Sequence, residues 1–181
     1  GSIYWLIEEE SGTEVVGLAL GNLGFWLFTI AVAVVVVVYL VIQTGAGTIE
    51  SIWFINEGRE YIEAPRWADV GIVVCVLIFF YNVAATFLKG RWSGIAGVLV
   101  LDLVAVAGMY LAGMFYSPNL SMDQFWWWWV IHLWVEATWE LVMAAILGYL
   151  MLKLTGVDRE VIEKWLYVIV SCALFSGILG T

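Results

Sequence analysis

A chain of 181 residues that is 64% hydrophobic and only 13% charged is not a water-soluble domain, which carries about 25% charged and roughly 45–50% apolar residues. The net charge of −9 sits almost wholly in loops and the N-terminal segment. No basic patch is present to bind a phosphate backbone, which sets nucleic acid aside as a partner.

The length fits one domain. The chain opens GSIYWLIEEESGTE, with no positive n-region and no short apolar core followed by small residues, so it has no visible targeting segment. IYWLI reads as the tail of an earlier helix entering an acidic loop. The end, SGILGT, falls equally abruptly inside an apolar stretch. The expectation is therefore an internal segment of a longer protein.

A spanning helix needs about 20 mainly apolar residues. The first span is placed at 15–43, which holds no charge and includes AVAVVVVVYLVI. Valine is a mediocre helix former in water, but in lipid every backbone polar group must be satisfied within the segment, which an isolated strand cannot do. The second is placed at 70–88, between Asp69 and Lys89. The third is placed at 94–116, closed by Ser117-Pro118-Asn119, and the fourth at 125–152, closed by Lys153. A fifth, 165–181, is cut short. The fold class is thus an all-α polytopic membrane protein of about five spans, in a single transmembrane segment covering 1–181. Cys75 and Cys172 lie in apolar runs without a CxxC and read as small core or lipid-facing residues.

Loop charges set the orientation. Of the seven Lys and Arg residues, Lys89, Arg91, Lys153, Arg159 and Lys164 fall in two segments separated by two spans, hence on one side. Basic residues concentrate on the cytoplasmic side. The loop at 44–69 and the SPNLSMDQ loop are then outside. The four tryptophans at 126–129 follow that outer loop, where an aromatic belt belongs.

His132, Glu136 and Glu140 lie in the fourth span at a spacing of four and four. In a regular α-helix they drift only about 80° around the axis, so they share a face. A charge at the bilayer centre costs at least ~2.5–3.5 kcal/mol, so these groups must face protein, water or a metal. An i,i+4 His/Glu pair can give two ligands to one metal, and imidazole with carboxylate suits non-haem iron better than a thiol-seeking metal. The bland reading is a hydrogen-bonded core histidine with glutamates joining helices. The chain has only one histidine, so further ligands must lie outside it. Asp102, in the third span, has no in-helix partner and reads as either a water-accessible site or an interhelical hydrogen bond.

The stretch WWWWVIHLWVEATWE at 126–140, with LTGVDREVIEKWLYVI at 154–169 and SGILGT at 176–181, resembles the catalytic, cytochrome b subunit of bacterial cytochrome c-dependent nitric oxide reductase, in the haem-copper oxidase superfamily. Weaker matches are YWLIEE, EGREYIEAP and YNVAATFLKGR. The resemblance implies a larger twelve-helix bundle in the bacterial inner membrane. In it His132 and Glu136 bind a non-haem iron facing a high-spin haem b, and Glu140 lines the same polar pocket. Where the family usually has Gly-Val between the two glutamates, this chain has Ala137-Thr138, which keeps one small residue. The family continues past the Gly-Thr with two histidines that complete the iron site, and its ligands to two haems b lie elsewhere.

The resemblance further implies that the loop Gly58-Arg59-Glu60 with Glu63 lies near the haem propionates. Glu60 would there bind a calcium ion, with Arg59 at the cofactor and Glu63 beside the ligand. The partners implied are lipid, the remainder of the catalytic subunit and a membrane-anchored cytochrome c subunit. The implied activity is reduction of two NO to N2O and water, at a haem b and non-haem iron centre, in denitrification and electron transport. The alternative is a non-enzymatic proton-conducting or transporter subunit that uses the His132/Glu136/Glu140 face as a relay.

Overall fold

The computed structural model describes residues 1–43 and 64–179, and every regular element among them is helical. In chain order these are α1 (Ser2–Ser11), α2 (Leu18–Gln43), α3 (Arg66–Lys89), α4 (Gly94–Gly113), α5 (Leu120–His132), a π-helical segment (Leu133–Trp139), α6 (Glu140–Thr155) and α7 (Arg159–Leu179). Among the described residues five helices are long and apolar enough to cross a membrane: Leu18–Val41, Trp67–Lys89, Gly94–Gly113, Leu120–Thr155 and Arg159–Leu179. The protein is an all-α, multi-pass membrane protein.

Two units are distinguished, Gly1–Val16 with Phe80–Thr181, and Gly17–Phe79. In the second, α2 turns large apolar side chains outward, with Phe25 62% and Trp26 61% exposed. Such a helix is hydrophobic all round, as a membrane span is, and lipid solvates it without the penalty water would impose.

The first unit has its core where α4 packs on the π segment, α6 and α7. Ile95, Leu99, Leu141, Ala145 and Leu166 are buried there. Two helix starts in this unit, those of α4 and α5, are capped by side chains that satisfy orphaned N–H groups. Ser93 accepts from the Ala96 amide at 3.1 Å to open α4. Asn119 accepts from Ser121 and Met122 at 3.0 and 3.1 Å to open α5. That cap starts the helix at Leu120, ahead of the apolar run, so the polar residues Ser121, Asp123 and Gln124 are helical. Gly156 ends α6 with φ +68°, a left-handed conformation that glycine adopts without steric cost.

One end of this unit is tied by charge. Glu10, on α1, receives Arg159 Nη1 and Nη2 at 2.8 Å each and Ser93 Oγ at 2.7 Å. Glu9 meets Lys153 Nζ at 2.6 Å and the Tyr149 hydroxyl at 3.3 Å. The Arg91 amide donates to the Ser11 carbonyl at 2.9 Å. The two basic segments separated by two spans therefore do meet at one end, with α1 between them. In the sequence the acidic start reads only as a solvated loop, and nothing there marks the pairing of Glu9 and Glu10.

Candidate functional site

The fourth span carries the polar constellation, and its local geometry departs from a regular α-helix. Leu133–Trp139 is π-helical. A π turn bonds i to i+5, widening the helix by about one residue, and such turns are rare and concentrate at functional sites. The His132 and Glu136 side chains converge here, with Nδ1 to Oε2 at 3.3 Å. The His132 side chain is 17% exposed and that of Glu136 65%. Glu140 is also exposed, as are Val135 and Trp139, whereas Leu133, Ala137, Thr138, Leu141 and Val142 are buried. The helix thus sets its apolar side into the unit and leaves its two glutamates on the opposite, open side.

Several contacts fix this span. Trp126 Nε1 donates to the Ala112 carbonyl at 3.0 Å, and Trp129 Nε1 to the Ile178 carbonyl at 3.1 Å. The tryptophans that read as an aromatic belt therefore also tie α5 to α4 and α7. Trp134 meets Tyr110 edge-on, with centroids 5.4 Å apart. The Thr138 hydroxyl donates to the Trp134 carbonyl at 2.8 Å. A Cβ built on Gly177 would lie 3.0 Å from the Ala137 Cβ and 3.1 Å from Leu133 Cδ2, so α7 packs on the π segment more closely than a side chain at 177 would allow.

The donors present fit part of a metal site. An imidazole nitrogen and a carboxylate oxygen one turn apart suit iron. Among the described residues no group of three His, Cys, Asp or Glu gathers that could hold a metal ion. Arg59, Glu60 and Glu63 lie outside the described residues.

Asp102 is 1% exposed, and its Oδ2 has no hydrogen-bond partner among the described residues. Cys75 is buried and Cys172 exposed, and both are free thiols. Outside the spans, burial pushes the Glu10 carboxyl up. Hydrogen bonds from Arg159 and Ser93, with the charges of Arg159 and Lys153, outweigh this and hold it below the ordinary glutamate value. Glu9 is held low by the hydrogen bond and charge of Lys153.

The family model of cytochrome C and quinol oxidase polypeptide I matches residues 1–181. A nitric oxide reductase subunit of Stutzerimonas stutzeri is 43% identical over 183 residues, an alignment that takes in 100% of this chain. The chain spans 39% of that relative's length.

Proposed function

The chain belongs to the cytochrome c and quinol oxidase polypeptide I family, and we propose that it is part of the catalytic subunit of a nitric oxide reductase of the bacterial inner membrane. The reaction is reduction of two NO by two electrons and two protons to N2O and water. The observation that carries the reading is the convergence of His132 and Glu136 at 3.3 Å on the open side of a π turn. It occurs in a chain 43% identical to a protein named as a nitric oxide reductase subunit.

His132 would hold a non-haem iron through its imidazole and Glu136 through its carboxylate, the other ligands coming from outside this segment. Together with a haem b, such an iron would supply a Lewis acid and a second place for NO, so that two substrate molecules would be held together. The chain's own part is charge and position. The Glu136 carboxylate is a hard, negative donor, which favours iron over copper and so speaks for NO over oxygen as substrate. The buried side of the helix, locked by Trp134 and Thr138, keeps Glu136 from turning away. Glu140, about 6 Å further along a regular helix axis, is too far to join the same ligand set and would hold or pass a proton.

In the same reading the loop with Arg59, Glu60 and Glu63 faces the periplasm. Glu60 binds calcium there, and a membrane-anchored cytochrome c subunit delivers the electrons. The family match favours this over a proton-conducting subunit without redox chemistry. Metal and haem analysis of the purified intact complex tests it. Iron in excess of haem, with NO consumption, supports the reading, and iron equal to haem refutes it.

A further inference from the structure

The π turn has a geometric consequence for the three polar residues around it. In a regular α-helix, residues eight apart are offset by about 80° around the axis. A π turn absorbs one residue, so groups on its two sides behave as though seven apart, an offset of about 20°. Residues 133–139 lie between His132 and Glu140. The wide turn therefore brings Glu140 nearly into line with His132, with Glu136 carried on the turn itself. Val135, Glu136, Trp139 and Glu140 are all exposed while Ala137 and Thr138 are buried.

A wide turn is less well packed than an α turn and persists where its surroundings hold it. Three contacts do so. Thr138 is buried, and its hydroxyl occupies the Trp134 carbonyl at 2.8 Å. In i→i+5 bonding that carbonyl is no longer the acceptor of the Thr138 amide. Trp134 is pinned against Tyr110. On the other side, Ala137 and Leu133 press into the place a side chain would fill on Gly177, 3.0 and 3.1 Å from its built Cβ. Thr29, Thr155 and Ser171 make the same hydroxyl-to-carbonyl bond within α-helical elements, so the bond alone does not create a π turn. At this site the bond is joined by the close approach of Gly177 to Ala137 and Leu133 on the other side of the turn.

We propose that Thr138 and Gly177 are positioning residues: together they hold the π turn that lines up His132, Glu136 and Glu140 on one side of the fourth span. The inference rests on the reading of these three as an iron site with a proton-handling neighbour. It goes beyond that reading by assigning roles to two residues that touch neither metal nor substrate.

The test uses the intact complex carrying Thr138→Val, Thr138→Ser or Gly177→Ala, with two readouts besides turnover. One is a cryo-EM structure, which shows whether 133–139 keeps its wide turn and on which side Glu140 stands. The other is the Mössbauer spectrum of the non-haem iron together with its affinity. In Thr138→Val the turn should tighten or shift and the iron signature change, with a loss of roughly tenfold in iron affinity, as for residues that orient ligands. Thr138→Ser should restore both, because it keeps the hydroxyl. Gly177→Ala should displace α7 from the turn with the same spectral change. If Gly177→Ala does not assemble, the Thr138 pair decides alone. An unmoved turn with an unchanged signature in Thr138→Val overturns the proposal, and so does a moved turn with an unchanged signature. A complex with no non-haem iron in the unsubstituted protein overturns the iron reading instead. The structures then still decide whether Thr138 and Gly177 hold the turn.

Discussion

Removing Arg159 should destabilise the subunit more than removing its partner Glu10. The asymmetry follows from exposure: the Arg159 side chain is 49% exposed and that of Glu10 only 3%. Arg159→Ala leaves a buried carboxylate that keeps Ser93 Oγ at 2.7 Å and loses both guanidinium bonds at 2.8 Å. Stranding one member of a fully buried pair costs about 3–5 kcal/mol. Here water reaches the arginine side, so about 2–3 kcal/mol is expected, between the buried and surface cases. Glu10→Gln leaves a guanidinium that turns to solvent and to Glu163, 3.6 Å away. About 1–2 kcal/mol is expected there, one charge-assisted bond's worth. Reversible unfolding of the intact subunit in mixed micelles, on the two single variants and the double variant, measures both. The double variant should cost less than the sum, because it leaves no stranded carboxylate. A loss below about 0.5 kcal/mol for Arg159→Ala, as for an ordinary surface pair, would refute the reasoning. A larger loss for Glu10→Gln than for Arg159→Ala would do the same.

The depressed Glu10 carboxyl sets a sign in pH. Its contribution is complete above the ordinary glutamate value of about 4.3 and is lost as pH falls through its lower folded value. Acid unfolding curves should show this limb in the native protein and not in Glu10→Gln, with no difference between pH 6 and 8. Asp102→Leu should raise stability by about 1–3 kcal/mol, since it replaces a buried carboxyl oxygen without a hydrogen-bond partner by an apolar group; a loss in the same micelle assay contradicts the packing described. Cysteine labelling of intact cells should modify a cysteine placed at Glu57 and spare one placed at Lys89, and the opposite pattern reverses the orientation. Glu60→Gln should release calcium from the intact complex, and full calcium retention removes Glu60 from the ion, whose oxygen contacts are about 2.3–2.6 Å.

Much of the fold is legible in the sequence because lipid leaves few choices. Long uncharged runs must be helices, and the breaks at Lys89–Ser93 and Thr155–Asp158 are marked by charge, glycine and a capping serine. The His132/Glu136 pair is legible from one turn's spacing. What escapes lies in contacts that hydropathy does not encode. Glu10 reads as one more acid in a polar loop until Arg159, far along the chain, is brought to it. The π turn leaves no mark in the pattern of apolar residues, since LWVEATW is compatible with an α-helix throughout. Its one hint is the small residue Ala137, where the turn meets Gly177. Asp102 is legible as an unusual acid inside a span, whereas the burial of its Oδ2 without a hydrogen-bond partner among the described residues emerges only from the packing of α4.

The central claim is that Glu136 and His132 share an iron, and iron analysis of the purified Glu136→Ala and Glu140→Ala complexes tests it most directly. Glu136→Ala should lose the non-haem iron and NO turnover while both haems remain. Glu140→Ala should keep the iron and turn over slowly. Full iron occupancy with normal NO consumption in Glu136→Ala would contradict the assignment.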